Sequence, residues 1–518
     1  MNGLHGTTKL RASHIAADTG LPPRGPGQHR DRGRVLRTPK VHTEVSERMH
    51  ATCLGGAALA VALWRRLDAA RIIDKELHVL RRHRPYQESD HVLAQALNMV
   101  LGGTCLEDVT RLQHDPALLR IIGGDRLPDP TTAGDFLRRF DESINPGSLT
   151  ALRAVVDELQ RRAWARLRSG PKDRLRRLGG LVLVDIDSKI RAFTGNQKEG
   201  ADLSYKGTWS HHPLLLTCAT TQEVLAVRNR PGNAVTSAGA REMLLENLPR
   251  VAAGLGQAVV RMDAGFENTA MRRACQENGA YFVQAAAGRH ERYRLLDQLP
   301  DEAWVEWLPS KERDRDGVAA CETTRPRRRG RNLRRQTMLR RYKDDKTKGR
   351  HWLAEVECRP TKAEPPCRLI VIREEIRNQY SERQPPLFAH HEFRFVLTNL
   401  PARFTPSDVI DLSHDRCDQE KIICQLGDDI PMWRMPVREF AGNEAHLEIA
   451  RLAWNMGKWL GLLVLPLESI RWEWKRFRSA FVFIAAEVIR RGRQTWLRFS
   501  PEHRYVGMLR AAHAKLEA

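Results

Sequence analysis

The chain has 518 residues, with 85 Lys and Arg against 63 Asp and Glu, a formal charge of +22. Such an excess selects a polyanion as partner, nucleic acid before an acidic membrane surface. The most apolar stretches, Leu54–Trp64 and Trp459–Leu467, are about half the ~20 residues of a membrane-spanning helix, which excludes a transmembrane reading.

Nine cysteines occur singly with no C-x-x-C pair, which argues against both a disulfide framework and a zinc finger. The first forty-odd residues are polar and rich in Gly, Pro, Arg and His. They lack the apolar core of a secretion signal, so a cytoplasmic, nucleoid-associated protein is expected. Residues 1–43 read as a disordered basic leader able to touch phosphates without folding. From about Glu44 to Arg168 apolar residues recur at helical spacing, as in Val92-Leu93-Ala96-Leu97-Met99-Val100 and Leu149-Leu152-Val155-Val156-Leu159. Gly102-Gly103 and Gly123-Gly124 interrupt those helices. A basic connector is expected over Arg161 to Arg177.

Strand character begins at Leu181-Val-Leu-Val184, a short apolar run rich in valine that leads into Asp185 and Asp187. Side chains on a strand repeat every second residue, so both carboxylates point to one side. A carboxylate at the end of a buried strand is costly unless a cation meets it. Leu214–Cys218 and Val224–Val227 complete a predicted meander. A second strand, Ala258-Val-Val-Arg261-Met262, then delivers Asp263 and is followed by Gly265. A solvated strand end explains either Asp alone. Two such strands imply carboxylates that converge, repel one another and call for divalent cations. Oxygen-only ligands favour Mg²⁺ or Mn²⁺ over zinc. Adjacent His211 and His212 face opposite ways on a strand, which makes a shared metal ion improbable.

A helix near Asn268–Asn278 and a strand at Tyr281–Gln284 continue an α/β rhythm. From about Leu295 to Glu392 that rhythm breaks. This part holds Trp304, Trp307, Trp352, strand-like runs at Trp352–Val356 and Leu369–Ile372, and a basic run with Arg327, Arg328, Arg329, Arg331, Arg334 and Arg335. A run of this kind is more often a solvated or disordered loop than a reading head, but in so basic a chain phosphate contact is its most economical role. Phe393–Thr398 reads as a strand. Thr405-Pro406-Ser-Asp408 has helix-start chemistry, and the helix that follows carries Arg416 and Glu420 one turn apart. Helices are expected around Glu444–Leu463 and Phe477–Arg491.

Three landmarks together resemble a known family. Asp187 followed by Ser, Asp263 in Arg-x-Asp-x-Gly-Phe, and Asp415-Arg416-Cys-Asp-Gln-Glu420 resemble the DDE transposases of bacterial insertion sequences, in the branch with a β-rich insertion between the second Asp and the Glu. Gly195-Asn-Gln-Lys-Glu-Gly200, Tyr205-Lys-Gly-Thr-Trp209, His212-Pro213-Leu and Asn229-Arg-Pro-Gly-Asn233 are similar to the same branch. The resemblance implies an RNase H-like mixed-sheet core of α/β class, with Asp187, Asp263 and Glu420 as catalytic, Mg²⁺-binding carboxylates. Asp187 is chosen over Asp185 because the family's Asp directly precedes a small hydroxyl residue; Asp185 is the fallback. It implies that Arg416 clamps a DNA phosphate, and that two copies act on DNA ends and target. The implied layout is a leader over 1–43, a helical DNA-binding domain over 44–168, the core's first part over 178–294, an inserted β-rich basic domain over 295–392, and the core's second part with C-terminal helices over 393–518. Two family positions differ: Ser413 stands for a Tyr and Gly427 for a Lys, both of which touch DNA in the family. A transposase-derived DNA binder and a metal-dependent nuclease are the alternatives.

Overall fold

The computed structural model describes residues 43, 50–170, 180–308, 350–361, 364–375, 391–492 and 494–518. Its centre is a mixed sheet of nine strands, numbered here in chain order: β1 (Val182–Ser188), β2 (Leu214–Cys218), β3 (Glu223–Arg228), β4 (Ala258–Met262), β5 (Tyr281–Ala286), β6 (Val305–Glu306), β7 (His351–Cys358), β8 (Cys367–Glu375) and β9 (His391–Thr398). In space the order is β6-β7-β8-β9-β5-β4-β1-β2-β3. β1, β2 and β3 form the expected antiparallel meander, while β4 pairs parallel to β1 and β5 parallel to β4. The strands of the 295–392 stretch do not stand apart. β7 and β8 continue the same sheet through β9, which pairs antiparallel with β5.

The alternation of β1 divides its side chains between the two faces. Val182, Val184 and Ile186 point into a core closed by helices α2 (Ala240–Gly254) and α3 (Thr269–Glu277). Leu183 points the other way, towards a core in which Val259, Val283, Ile370 and Val396 meet Val409 and Ile410 of helix α4 (Pro406–His414). Asp185 and Asp187 share that second face by the period of two. Helix α4 starts where Thr405 and Asp408 predict: Thr405 Oγ1 accepts from the Asp408 amide at 3.2 Å and Asp408 accepts from the Thr405 amide at 2.8 Å.

The remaining part of that face, Leu215 on β2 and Val224 and Val227 on β3, is buried against helix α6 (Phe440–Leu463). The same core takes in the N-terminal helices from Ala57 onward and helix α1 (Ser148–Ser169), so sequence-distant helices bury one another. A single buried carboxylate ties three elements together. Glu223 on β3 accepts from Gln160 (2.8 Å) and Trp164 (2.9 Å) of α1 and from Trp459 (2.7 Å) of α6.

Two expectations change. The connector predicted from Arg161 is helical as far as Ser169, because Ala163, Trp164 and Leu167 extend the buried stripe of α1. The helix predicted over Phe477–Arg491 ends at Phe481, and Ala486–Arg491 pairs with Gln494–Phe499 as a hairpin. Ala486 and Val488 are buried while Glu487 between them is exposed, a period of two rather than 3.6. Gly492 turns the hairpin with φ +60°, where a side chain would be strained. Among the described residues no helix is long and apolar enough to cross a membrane.

Candidate active site

Register decides what meets at the end of the central strands. Asp185 of β1 is the partner of Arg261 on the parallel strand β4. Two residues further along stand Asp187, near the end of β1, and Asp263, just past the end of β4. The same register therefore brings the two residues to one edge, on neighbouring strands whose backbones lie ~4.8 Å apart. In open α/β sheets the carboxyl ends of strands are where ligands are bound.

The two aspartates of β1 have opposite surroundings. Asp185 is fully buried and grips Arg261 with both oxygens, at 2.6 Å to Nε and 2.7 Å to Nη2. Burial drives its carboxyl above the ordinary aspartate value, and the two Arg261 hydrogen bonds oppose that rise. Arg261 also donates from Nη1 to the Leu412 carbonyl at 3.0 Å. One guanidinium therefore fixes the strand end to the last turn of α4, four residues before Arg416. Asp187 keeps its outer oxygen open. Its Oδ1 accepts from the Ser188 amide at 2.7 Å, while Oδ2 faces Arg416.

Arg416 lies at the junction between α4 and helix α5 (Cys417–Asp428). Its guanidinium stands 3.7 Å from Asp187 Oδ2 and 3.6 Å from Asp263 Oδ2. Both distances are beyond a hydrogen bond, and Nη1 is buried with no hydrogen-bond partner among the described residues. Arg416 has helical backbone angles (φ −60°, ψ −17°), so Glu420 in the first turn of α5 follows it on the same side. Burial raises the Asp187 carboxyl above its ordinary value; Arg416 and the Ser188 amide pull it down, and Asp263 and Glu420 push it up. Asp187, Asp263, Glu420 and Arg416 thus belong to one electrostatic neighbourhood. Among the described residues no three acidic, histidine or cysteine side chains are drawn closely enough together to hold a metal ion as they stand. Arg416 lies in the gap between Asp187 and Asp263.

Behind this edge the two histidines are spoken for. His212 shares hydrogen bonds with the Ala234 carbonyl (2.8 Å) and the Ser188 hydroxyl (2.9 Å), and His211 with the Glu199 carbonyl (2.9 Å). Gly232 permits the close turn beside them, since a Cβ there would come within 2.2 Å of the Asp202 carbonyl oxygen.

The sequence matches the transposase DDE domain, group 1, over residues 37–352 and 368–518. The chain belongs to that transposase family. No curated protein sequence matches it. Among solved structures, the piggyBac transposase synaptic complex with hairpin DNA, studied by cryo-EM, aligns with 83% of this chain and 84% of its own, at 9% identity and a TM-score of 0.30.

Within this transposase, the two departures from the family's late-helix pattern have distinct settings. Ser413 is in the last turn of α4. Gly427 lies under Trp433: a Cβ at 427 would be 2.8 Å from its Cδ1, and the indole is itself anchored to the Ile423 carbonyl at 3.0 Å. No side chain fits between that helix and that ring without a shift. The arginines of the basic run, Arg327, Arg328, Arg329, Arg331, Arg334 and Arg335, lie outside the described residues. Arg261 was not singled out from sequence, although a lone arginine inside the apolar run Ala258–Met262 is itself the signal of a buried carboxylate partner.

Proposed function

We propose that this transposase cleaves DNA at the ends of an insertion sequence and joins the freed 3′-OH to target DNA, within an RNase H-like core and with Asp187, Asp263 and Glu420 as its metal-binding carboxylates. The observation that carries the reading is the parallel register of β1 and β4, which delivers Asp187 and Asp263 to the same guanidinium. The donor set is all carboxylate oxygen, which fits Mg²⁺ or Mn²⁺ in preference to zinc. When bound, two such ions activate the attacking oxygen and stabilise the leaving 3′ oxygen of an in-line displacement.

The chain's own residues supply the rest. Asp187 and Asp263 hold the carboxylate edge, with Asp187 oriented by the Ser188 amide. Arg416 balances both while the site is free of DNA. Its Nη1, without a hydrogen-bond partner among the described residues, and its planar fork suit a phosphate oxygen, so an entering phosphodiester takes the guanidinium while the carboxylates are released to bind cations. Asp185 and Arg261 stay out of the chemistry and set the distance between strand end and helix. Joining two ends calls for two copies on DNA.

Cleavage of DNA carrying the element's ends, with Mg²⁺, tests this directly. Asp263→Asn should reduce cleavage to background while DNA binding is kept or tightened, because one repelling charge is removed. Normal cutting by that variant overturns the site. A DNA binder without catalysis is the second reading, favoured by the position of Gly427 under Trp433; binding without any cleavage by the wild-type chain identifies it. Cleavage without transfer of the cut end into a plasmid identifies a nuclease.

A further inference from the structure

A cleft of about 780 Å³ is walled by residues around 105–107, 191–198 and 434–436. Its volume is in the ~300–1,000 Å³ range of sites that take up a ligand. Arg191, Lys198 and Arg434 bring three cations to it, against one carboxylate, Glu107. The charges act on one another. Burial and then the neighbouring Arg434 hold the Arg191 guanidinium below its ordinary value, and burial and then Arg191 do the same to the Lys198 ammonium. Arg191 Nε is buried with no hydrogen-bond partner among the described residues. Lys198 donates to the Val437 carbonyl at 2.9 Å, and the carboxylate of Glu439, outside the cleft lining, offsets its burial and the repulsion of Arg191 only in part. Glu107 is held low first by its own backbone amide and by Cys105, with Arg434 a lesser influence.

Two cations partly withdrawn from water, Arg191 and Lys198, with an exposed third beside them and a buried donor left unused, are costly until an anion arrives. Phe193 supplies the apolar element. Its ring centroid is 6.0 Å from the Arg191 guanidinium and 5.8 Å from the Lys198 ammonium, and the ring packs edge-on against His211 at 4.9 Å.

We infer that this cleft binds one nucleotide unit of a DNA strand, its phosphate between Arg191 and Arg434 and its sugar or base against Phe193. Arg191 comes four residues after Asp187, so the two lie within ~14 Å along the chain. That is about four nucleotides of a duplex strand. A strand leaving the carboxylates therefore reaches the cleft within a few units. The choice of DNA as ligand rests on the function proposed above, whereas the anion site is read from charge and burial alone.

The test is binding by the full chain without divalent cation, so that no cleavage is needed. Labelled duplex carrying an element end, an unrelated single-stranded oligonucleotide and inorganic phosphate are titrated across a range of salt. Arg434 is exposed, so Arg434→Gln should fold; it should lower DNA affinity ~3- to 10-fold and flatten the log–log salt slope by about 1. Arg434→Lys should restore most of both, and Arg510→Gln, on the exposed side of a C-terminal helix, should change neither. Arg191→Gln should repeat the effect; should it melt early, Arg434→Gln alone still decides. Unchanged affinity and slope in Arg434→Gln overturn the inference, as does inorganic phosphate competing as well per phosphate as the oligonucleotides. A wild-type chain that cuts DNA while Arg434→Gln binds normally sinks the cleft and keeps the active site. A chain that never cuts while Arg434→Gln binds weakly does the reverse.

Discussion

Asp185 and Asp187 occupy one strand and one face yet do opposite work, and what separates them is solvent and the second cation. Asp185 is sealed with Arg261 in a two-pronged pair. Leaving one partner of such a pair buried alone costs ~3–5 kcal/mol. Asp185→Ala should therefore lower the urea midpoint by that equivalent, and any loss of activity should follow loss of fold; a change under ~1 kcal/mol contradicts the buried-pair account. Asp187 keeps an open oxygen at the edge, and burial leaves its carboxyl above the ordinary aspartate value. Its folded-state value is above its unfolded one, so the ionised form costs stability at neutral pH. That cost fades as pH falls through the raised folded value and is gone below the ordinary value of ~3.9. Asp187→Asn should accordingly raise the thermal midpoint at pH 7 without metal, with the gain vanishing in acid. Mg²⁺ should stabilise the wild type by binding the folded state and leave the variant unmoved. A variant that melts lower at neutral pH contradicts this. From the sequence, the period of two placed both aspartates on one side. The need for a cation was legible too, but which aspartate Arg261 would take depends on register between strands 76 positions apart, which a local pattern does not carry.

At the scale of elements, strong local chemistry was readable and competing periodicities were not. The Thr405-Pro406-Asp408 start of α4 and strand Ala258–Met262 follow from cap residues and β-branched runs. The segment after Phe481 failed because Ala486-Glu-Val-Ile-Arg-Arg491 is short and bounded by a glycine. Only its pairing with Gln494–Phe499 and with Ala51–Thr52 selects strand over helix. Helix α5 shows a further limit: the sequence marks the missing Lys at 427 but not the ring above it. Gly427→Lys restores the family's residue type, yet its Cβ meets Trp433. It should destabilise the protein by ~1–3 kcal/mol, visible in chemical denaturation, without strengthening DNA binding. A stable Gly427→Lys protein with tighter end binding contradicts the packing argument.

For the whole molecule, the important feature is that no part of the carboxylate site is held by neighbouring sequence alone. β1 and β4 supply Asp187 and Asp263, and α4 and α5 bring Arg416 and Glu420 from beyond the 295–392 stretch. The N-terminal helices and α6 close the face behind β2 and β3. Glu223 is where those layers meet, and Glu223→Ala leaves the donors of Gln160, Trp164 and Trp459 without their acceptor. At ~1–3 kcal/mol for each orphaned buried donor, that variant should be among the most destabilised, unfolding well below the wild type in a thermal scan. A near-native midpoint contradicts the view that α1, β3 and α6 stand or fall together. Composition already pointed to a polyanion, and the family landmarks to DNA. How the helical and strand regions share one core could not be read from spacing, because it rests on contacts between residues 57–169 and 422–516.

The most direct test of the central claim is Mg²⁺-dependent cleavage of DNA bearing the element's ends by the wild type beside Asp187→Asn, Asp263→Asn and Glu420→Gln, with binding of the same DNA measured in parallel. The account predicts cleavage by the wild type, background levels in all three variants, and retained DNA binding in each. Wild-type cutting that survives in any of the three contradicts it.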